Sequence, residues 1–194
     1  MTTTKQYWLM KSEPEQFGIA DLERVRVEPW SGVRSMFARF HMRNMSVGDD
    51  VLFHHSNVTP PGVVGLARVV RTKVIDETQF DPQSQYFDEK ATREKPIWDC
   101  VDVEYVSTFP HFVSINRIRA EAELADMVLL RQGRLSVQPV KEHEFARIVA
   151  LSAEPPPLGI DKPKPKPKKS TAKKKPAKPK PKPKPKKKMK AKRK

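Results

Sequence analysis

The stretch YWLMKSEP, residues 7–14, decides how the fold of this chain begins and poses the question of what the fold is for. Four large apolar residues in a row are typical of a strand in a protein core. They are followed at once by Lys11, Ser12 and Glu13, and then by Pro14, which cannot continue strand pairing. We therefore expect a core strand whose polar end turns into a pocket.

Charge is distributed unevenly along the 194 residues. Residues 162–194 contain 18 Lys and one Arg and no acidic residue, out of 38 basic residues in the whole chain. The preceding 161 residues keep 19 basic residues against all 23 acidic ones, a net charge of −4. A mildly acidic domain is therefore followed by a strongly basic segment, and each part needs its own physical account.

The basic segment alternates Lys with Pro and has no aromatic residue. Burial cannot offset the entropy of ordering such a sequence, so we expect a disordered, extended tail. Its expected partner is a polyanion, because neutralising phosphates releases condensed counterions without any reading of sequence. An anionic membrane surface or a purely solubilising role is the alternative. Representative residues expected to contact nucleic acid non-specifically are Lys164, Lys168, Lys174, Lys182, Lys187 and Arg193.

Several function classes lack their sequence signals. Cys100 is the single cysteine, so neither a disulfide framework nor a Cys/His metal set is expected. No apolar run indicates a signal peptide or a membrane span, and the phosphate-binding, dinucleotide and hydrolase motifs are missing. His54 and His55 are adjacent, which on a strand sends their side chains to opposite faces. We expect no cofactor or metal, no membrane partner and a cytoplasmic monomer, associated with the nucleoid in a bacterium or nuclear in a eukaryote.

Hydrophobic patterning predicts a mixed α/β (α+β) domain. Pro60, Pro61 and Gly62 mark a turn that should join two of the strands as a hairpin. Consecutive strands without helices between them argue for a small, curved, mostly antiparallel sheet or barrel with flanking helices. The predicted strands are 6–10, 50–55, 65–75 and 98–106, the predicted helices are 19–25, 33–45, 115–124 and 141–151, and residues 76–97 are a surface loop.

Mixed aromatic and polar clusters recur at the predicted element ends, where side chains converge around cavities. They are KSEP (11–14), WSGVRS (30–35), FHHSN (53–57) and RLSVQP (134–139). Taken singly, Ser12 and Ser31 could cap helices, Trp30 could be a core residue and Asn57 a turn residue. Together, an indole beside hydroxyl, amide and guanidinium groups is what holding a planar heterocycle requires.

These segments resemble the EVE domain, a family that includes the thymocyte nuclear proteins, belongs to the PUA-like superfamily and is similar to YTH domains. The resemblance rests on WLMKSEP, WSGVRS, FHHSN before GVVGLARV, WDCVDVEYV and RLSVQPV, in the same order over residues 6–152. It implies a PUA-like β-barrel with flanking helices that binds modified bases, especially modified cytosine in DNA. The implied organisation is a domain over 1–155, a linker over 156–161 and the basic tail over 162–194.

The resemblance also implies roles for individual residues. Trp30 would be the stacking wall, in the place of the first cage tryptophan of the similar YTH motif, and Ser31 would bond the base edge. Lys11 would form part of the opposite rim, toward phosphate. Trp98 is the candidate second aromatic wall, with a core position as its alternative. The full predicted pocket is Trp30, Ser31, Lys11, Ser12, Asn57, Ser56, Arg34, Ser136, Gln138 and Trp98.

The sequence is compatible with three functions. The first is a non-catalytic reader that holds a modified base in DNA or RNA while the tail adds general affinity. The second is a hydrolase acting on a nucleobase or nucleotide, as in the related ASCH group, with Lys11 and Glu13 as base and acid; no activated nucleophile is evident. The third is an architectural DNA-binding protein driven by its tail.

Overall fold

The structure is a computed structural model that describes residues 5–161. The predictions for the tail, residues 162–194, lie outside these residues. The six strands of the described part are β1 (Tyr7–Ser12), β2 (Val27–Pro29), β3 (Asp50–His55), β4 (Gly62–Ile75), β5 (Asp99–Ser114) and β6 (Val137–Val140). Its helices are α1 (Ile19–Val25), α2 (Met36–Arg43), α3 (Ile115–Ala120), α4 (Val128–Arg131) and α5 (Glu142–Ala153), with 3-10 turns at Glu77–Gln79 and Ala122–Leu124.

All six strands form one sheet in the order β2-β5-β4-β3-β1-β6. β1 runs parallel to β3, and every other neighbouring pair is antiparallel. The turn after Pro60 and Pro61 joins β3 to β4 as the predicted hairpin. The predicted mixed α/β fold, with a mostly antiparallel sheet and flanking helices, is confirmed.

The two faces of the sheet carry separate apolar cores, because successive strand side chains point to opposite sides. On one face Met10 of β1 and Phe53 of β3 pack with residues of α1 and α2. On the other face Leu9 and Leu52 pack with residues of α3 and α5. The run YWLM is therefore apolar throughout because β1 is covered on both faces.

Asp49 holds the beginning of β1 in place. Its buried carboxylate accepts hydrogen bonds from the indole nitrogen of Trp8 at 2.9 Å and from the backbone of Gln6 and Ser46 at 3.0 and 2.9 Å. A buried carboxylate with several donors is stabilised relative to one without partners. These bonds fix the N-terminal end of β1, and Lys11 and Ser12 lie at its C-terminal end.

Two predicted helices are longer than the observed ones. The helix predicted over 33–45 is α2, which begins after Ser35, whose hydroxyl accepts from the Ala38 backbone at 3.4 Å as an N-cap. The helix predicted over 115–124 ends at Ala120 and gives way to a 3-10 turn. None of the helices between residues 5 and 161 is long and apolar enough to cross a bilayer.

Two short edge strands, β2 and β6, were not predicted, and β5 extends beyond its predicted end to Ser114. Each of the edge strands contains a proline, Pro29 in β2 and Pro139 in β6. Proline lowers strand propensity in a sequence, yet an edge strand tolerates it because one side of the backbone needs no partner. Pro139 lies beside Trp8 in the sheet, shortly before α5 begins at Glu142.

Candidate functional site

A cleft of about 570 Å³ opens where β1 and β2 end. Its walls come from parts of the chain that are far apart in sequence. The pairing of β1 with β3 brings Ser12 and Ser56 together, and Trp30 reaches the same region by packing against Phe53 of β3. The lining residues are Lys11, Ser12, Glu13, Gln16, Phe17, Glu28, Pro29, Trp30, Ser31, Gly32, Val33, Arg34, Ser56, Tyr86, Gly133, Arg134 and Ser136. The cleft therefore combines aromatic, hydroxyl, cationic and carboxylate groups in one place.

Seven of the ten predicted pocket residues line this cleft. They are Lys11, Ser12, Trp30, Ser31, Arg34, Ser56 and Ser136. Their part in ligand binding stays a prediction, but the segments to which they belong do converge. Neither Ser12 nor Ser31 caps a helix, the alternative considered for both: Ser12 is the last residue of β1, and Ser31 follows β2.

Gln138 and Asn57 do not line the cleft. Gln138 lies opposite Leu9 in the sheet and is 1% exposed, and its amide donates to the backbone carbonyls of Gln132 and Leu135. Asn57 has a left-handed backbone (φ 55°) and donates its amide to Glu13 at 3.1 Å. Sequence proximity to lining residues does not specify which way a side chain points. The part of both residues in base binding stays a prediction.

Trp98 is also outside the cleft. Its indole nitrogen donates to Asp88 at 2.8 Å, and the ring lies beneath the guanidinium groups of Arg34 and Arg39. It borders a separate depression with Arg43 and other residues. Trp98 is therefore a buried residue beneath Arg34, which fits the core position considered as its alternative, and its part as a second aromatic wall stays a prediction.

Tyr86 is the aromatic residue from the predicted surface loop that does reach the cleft. Its ring covers Gly32, where an added Cβ would come within 2.7 Å of the ring, and Gly32 has a φ of +79°. Its hydroxyl donates to Gln16 at 3.3 Å. Glycine is required at position 32 both by this backbone conformation and by the close ring. In the sequence, the contact between Tyr86 and Gly32 is indicated only by the presence of a tyrosine in a polar loop.

Arg34 links the loop that contains Tyr86, residues 76–97, to the side of the cleft formed by Trp30. Its guanidinium donates to the Asp76 carboxylate at 2.7 Å and, through Nε, to the Tyr86 carbonyl at 2.8 Å. Asp76 also accepts from the Gly32 backbone at 2.9 Å and from Thr78. Burial by itself would raise the pKa of Asp76, but the bonds from Thr78, Arg34 and Gly32 outweigh it and lower that pKa.

Asp76→Asn is expected to destabilise the fold by about 2–3 kcal/mol, because it leaves a largely buried guanidinium without its counter-charge. The depressed pKa of Asp76 means that its stabilisation is complete above its unfolded value of 3.8 and is lost as pH falls through the folded pKa. Urea denaturation at pH 7 and pH 3 measures both effects: the difference between wild type and variant should shrink at pH 3.

Glu77→Gln is the matched control, since Glu77 pairs with Arg93 in a solvent-exposed position and its loss should change stability little. An Asp76→Asn variant as stable as Glu77→Gln at pH 7 would contradict the anchoring role of Asp76.

Trp30 is both a cleft residue and a core residue. It is 7% exposed, its ring meets Phe53 edge to face at 5.3 Å between centroids, and its backbone donates to Val101 at 2.8 Å. Trp30 therefore has the core position considered as its alternative, and its part as a stacking wall stays a prediction. The indole offers a limited area to a ligand, and that area is rigid because the rest of the ring is packed.

Lys11 and Ser12 line the opposite side. The Lys11 ammonium donates to the Gly133 carbonyl at 2.8 Å, and partial burial lowers the pKa of Lys11 to about 8. The Ser12 hydroxyl donates to the Phe17 carbonyl at 2.7 Å, which leaves its oxygen able to accept. This side of the cleft thus offers one cation, charged at neutral pH, and hydroxyl oxygens.

No group of three or more His, Cys, Asp or Glu side chains within residues 5–161 is arranged to hold a metal ion. Burial raises the pKa of the Cys100 thiol to about 12, so Cys100 is not a nucleophile at neutral pH.

Comparison with known proteins is consistent across sequence and structure. Thymocyte nuclear protein 1 of Danio rerio is 36% identical over 168 residues, which cover 77% of this chain and 73% of that protein. A hypothetical protein from Leishmania major superimposes with a TM-score of 0.75 and 48% identity, covering 77% of this chain and 96% of that one. The human THYN1 protein in complex with 5-methylcytosine-containing DNA gives a TM-score of 0.75 and 32% identity, covering 78% of this chain and 100% of that one.

The model of the EVE domain matches residues 6–151, which include all six strands and every residue that lines the cleft. This chain therefore belongs to the EVE domain family.

Proposed function

We propose that this chain binds DNA as a reader of a modified base, with modified cytosine, 5-methylcytosine first, held in the cleft beside Trp30. The observation that carries the proposal is the likeness to the human THYN1 protein, whose structure contains 5-methylcytosine DNA and whose chain in that structure is covered over its whole length by this one. The cleft supports it independently, since it joins an aromatic wall to polar groups in a volume typical of small-ligand pockets.

Each lining group has a distinct part in this proposal. The rigid edge of Trp30 stacks on or packs against the base, and Tyr86 closes the cleft from the loop side. Ser31 and Ser136 offer hydroxyls to the base edge. Lys11 and Arg134 stand at the rim, where a cation meets the phosphates next to an extruded nucleotide.

The hydrolase alternative draws on Lys11, because an amine with a lowered pKa in a cleft is also a feature of catalytic sites. However, Lys11 donates to Gly133, whereas Glu13 accepts from Gln16 and Asn57. The two groups that would serve as base and acid have different partners, so we propose binding without turnover.

The test is a titration of the full chain with duplexes that carry one 5-methylcytosine, 5-hydroxymethylcytosine or cytosine at the same position, in DNA and in the matching RNA. A methyl group accommodated in a fitted pocket is worth roughly 10- to 200-fold in selectivity. We expect DNA with 5-methylcytosine to bind at least about 10-fold more tightly than unmodified DNA. Equal Kd values for all the DNA duplexes, or conversion of a modified nucleoside on prolonged incubation, would contradict the proposal.

A further inference from the structure

Glu28 is a cleft residue that the sequence motifs did not indicate. It lies in the edge strand β2, where Val27 and Pro29 are exposed, Glu28 is half-buried and the following Trp30 is buried. Residues two apart on an extended chain share a face, so the carboxylate of Glu28 stands on the same side as the indole of Trp30. Both side chains line the cleft.

The other carboxylates near the cleft already have donors. Glu13 accepts from Gln16 at 3.2 Å and from Asn57 at 3.1 Å, and Asp76 accepts from Arg34 and Gly32. In contrast, none of the salt bridges within residues 5–161 involves Glu28. Glu28 is therefore the cleft carboxylate that is available to a ligand.

The surroundings of Glu28 favour a hydrogen-bond donor as its partner. Partial burial raises the pKa of Glu28, and the neighbouring Asp102 carboxylate raises it further, so both effects disfavour a charged carboxylate without a partner. A bound group that brings N–H toward Glu28 would relieve this penalty, whereas a carbonyl oxygen would add to it.

We propose that the Glu28 carboxylate accepts a hydrogen bond from the exocyclic amino group of the base held beside Trp30, and so selects amino bases over keto bases. This rests on the proposed function. The amino group of cytosine at C4 is a donor that acidic side chains accept from, whereas thymine carries an acceptor oxygen at C4. Thymine and 5-methylcytosine carry the same methyl group, so recognition of the methyl group alone cannot distinguish them. Glu28 would provide that distinction.

The experiment uses the full chain and DNA duplexes in which 5-methylcytosine, cytosine or thymine stands opposite an abasic site. None of the three bases is then paired, so the cost of breaking a base pair does not bias the comparison. The variants are Glu28→Gln, whose amide can turn to donate to the thymine oxygen, and Glu28→Ala, which removes the acceptor. Glu77→Gln is the matched control, because that exposed carboxylate pairs with Arg93 and does not line the cleft. Circular dichroism and thermal melting verify folding of each variant.

Wild type should bind 5-methylcytosine about 10-fold more tightly than thymine. Glu28→Gln should bring this ratio close to one, partly by gaining affinity for thymine. Glu28→Ala should weaken the binding of 5-methylcytosine without raising the affinity for thymine, and Glu77→Gln should keep the wild-type ratio. The inference is overturned if wild type does not prefer 5-methylcytosine over thymine, or if Glu28→Gln keeps the wild-type preference.

The comparison with cytosine separates this inference from the proposed function. If wild type prefers 5-methylcytosine over cytosine but Glu28→Gln retains the ratio to thymine, the reader function stands and the role of Glu28 fails. In the converse case, wild type binds cytosine and 5-methylcytosine equally, and Glu28→Gln loses the preference for them over thymine. Glu28 then reads the amino group, and the modified-base function fails. Absence of any nucleic-acid binding by the full chain overturns both.

Discussion

Replacing Trp30 with alanine should both destabilise the fold and remove base-dependent binding. Trp30 is 7% exposed and packs edge to face against Phe53, so truncation leaves a cavity that costs about 3–5 kcal/mol. The same change removes an aromatic surface worth about 1–3 kcal/mol to a bound base, which corresponds to roughly 5- to 150-fold in affinity. Urea denaturation measures the first effect, and titration with modified and unmodified DNA measures the second.

Trp30→Phe separates these two effects, because it keeps an aromatic ring in the core and removes the wider part of the indole. We expect it to be closer to wild type in stability than Trp30→Ala while still losing part of the preference for the modified base. A folded Trp30→Ala protein with wild-type base preference would show that the ligand does not contact this residue. An alanine variant with unchanged stability would contradict the core role derived from its packing.

Removing residues 162–194 should lower affinity for every oligonucleotide by a similar factor and flatten the dependence of binding on salt. If the 18 Lys and one Arg of this segment engage roughly 6–10 phosphates, log K of the full chain should fall with log salt with a slope of about −5 to −9 on duplex DNA. Between 50 and 200 mM salt this corresponds to about 10³- to 10⁵-fold in affinity. Titrations of the full chain and of residues 1–161 at several salt concentrations measure both slopes.

The preference between modified and unmodified bases should barely change on truncation, because contacts from Lys to phosphate carry no base information. The preceding 161 residues have a net charge of −4 and little long-range attraction for DNA, so the tail would raise the local DNA concentration around the cleft. An unchanged salt slope would make the tail a bystander. Loss of base discrimination by a folded truncated protein would place the tail in the recognition surface, and binding that survives only with the tail would favour the architectural alternative.

Much of the central sheet and α1 could be predicted from local patterns. β3 and α1 have the predicted bounds, because the apolar run at 51–53 and the helical spacing of Ile19 and Leu22 are local signals of buried elements. The turn at Pro60 and Pro61 was equally clear, because proline and glycine restrict the backbone locally. The edge strands β2 and β6 were missed because they are short, contain proline and are stabilised by pairing with distant strands.

The candidate site was likewise predictable in part from the sequence. The sequence by itself determined which segments carry mixed aromatic and polar groups, and Lys11, Trp30 and Arg34 do line one cleft. It also determined that a basic segment follows a mildly acidic domain, since charge is a property of composition.

Only the tertiary structure decided which side chains point into the cleft. Gln138 belongs to a segment that lines it, yet faces the opposite core because strand side chains alternate between faces. Tyr86 reaches it from a loop without pattern, through its contacts with Gly32 and Arg34. Glu28 becomes a cleft carboxylate because β2 pairs with β5 and brings it beside Trp30. Strand register and long-range contacts place these groups, and neither is encoded in the local pattern of residues around them.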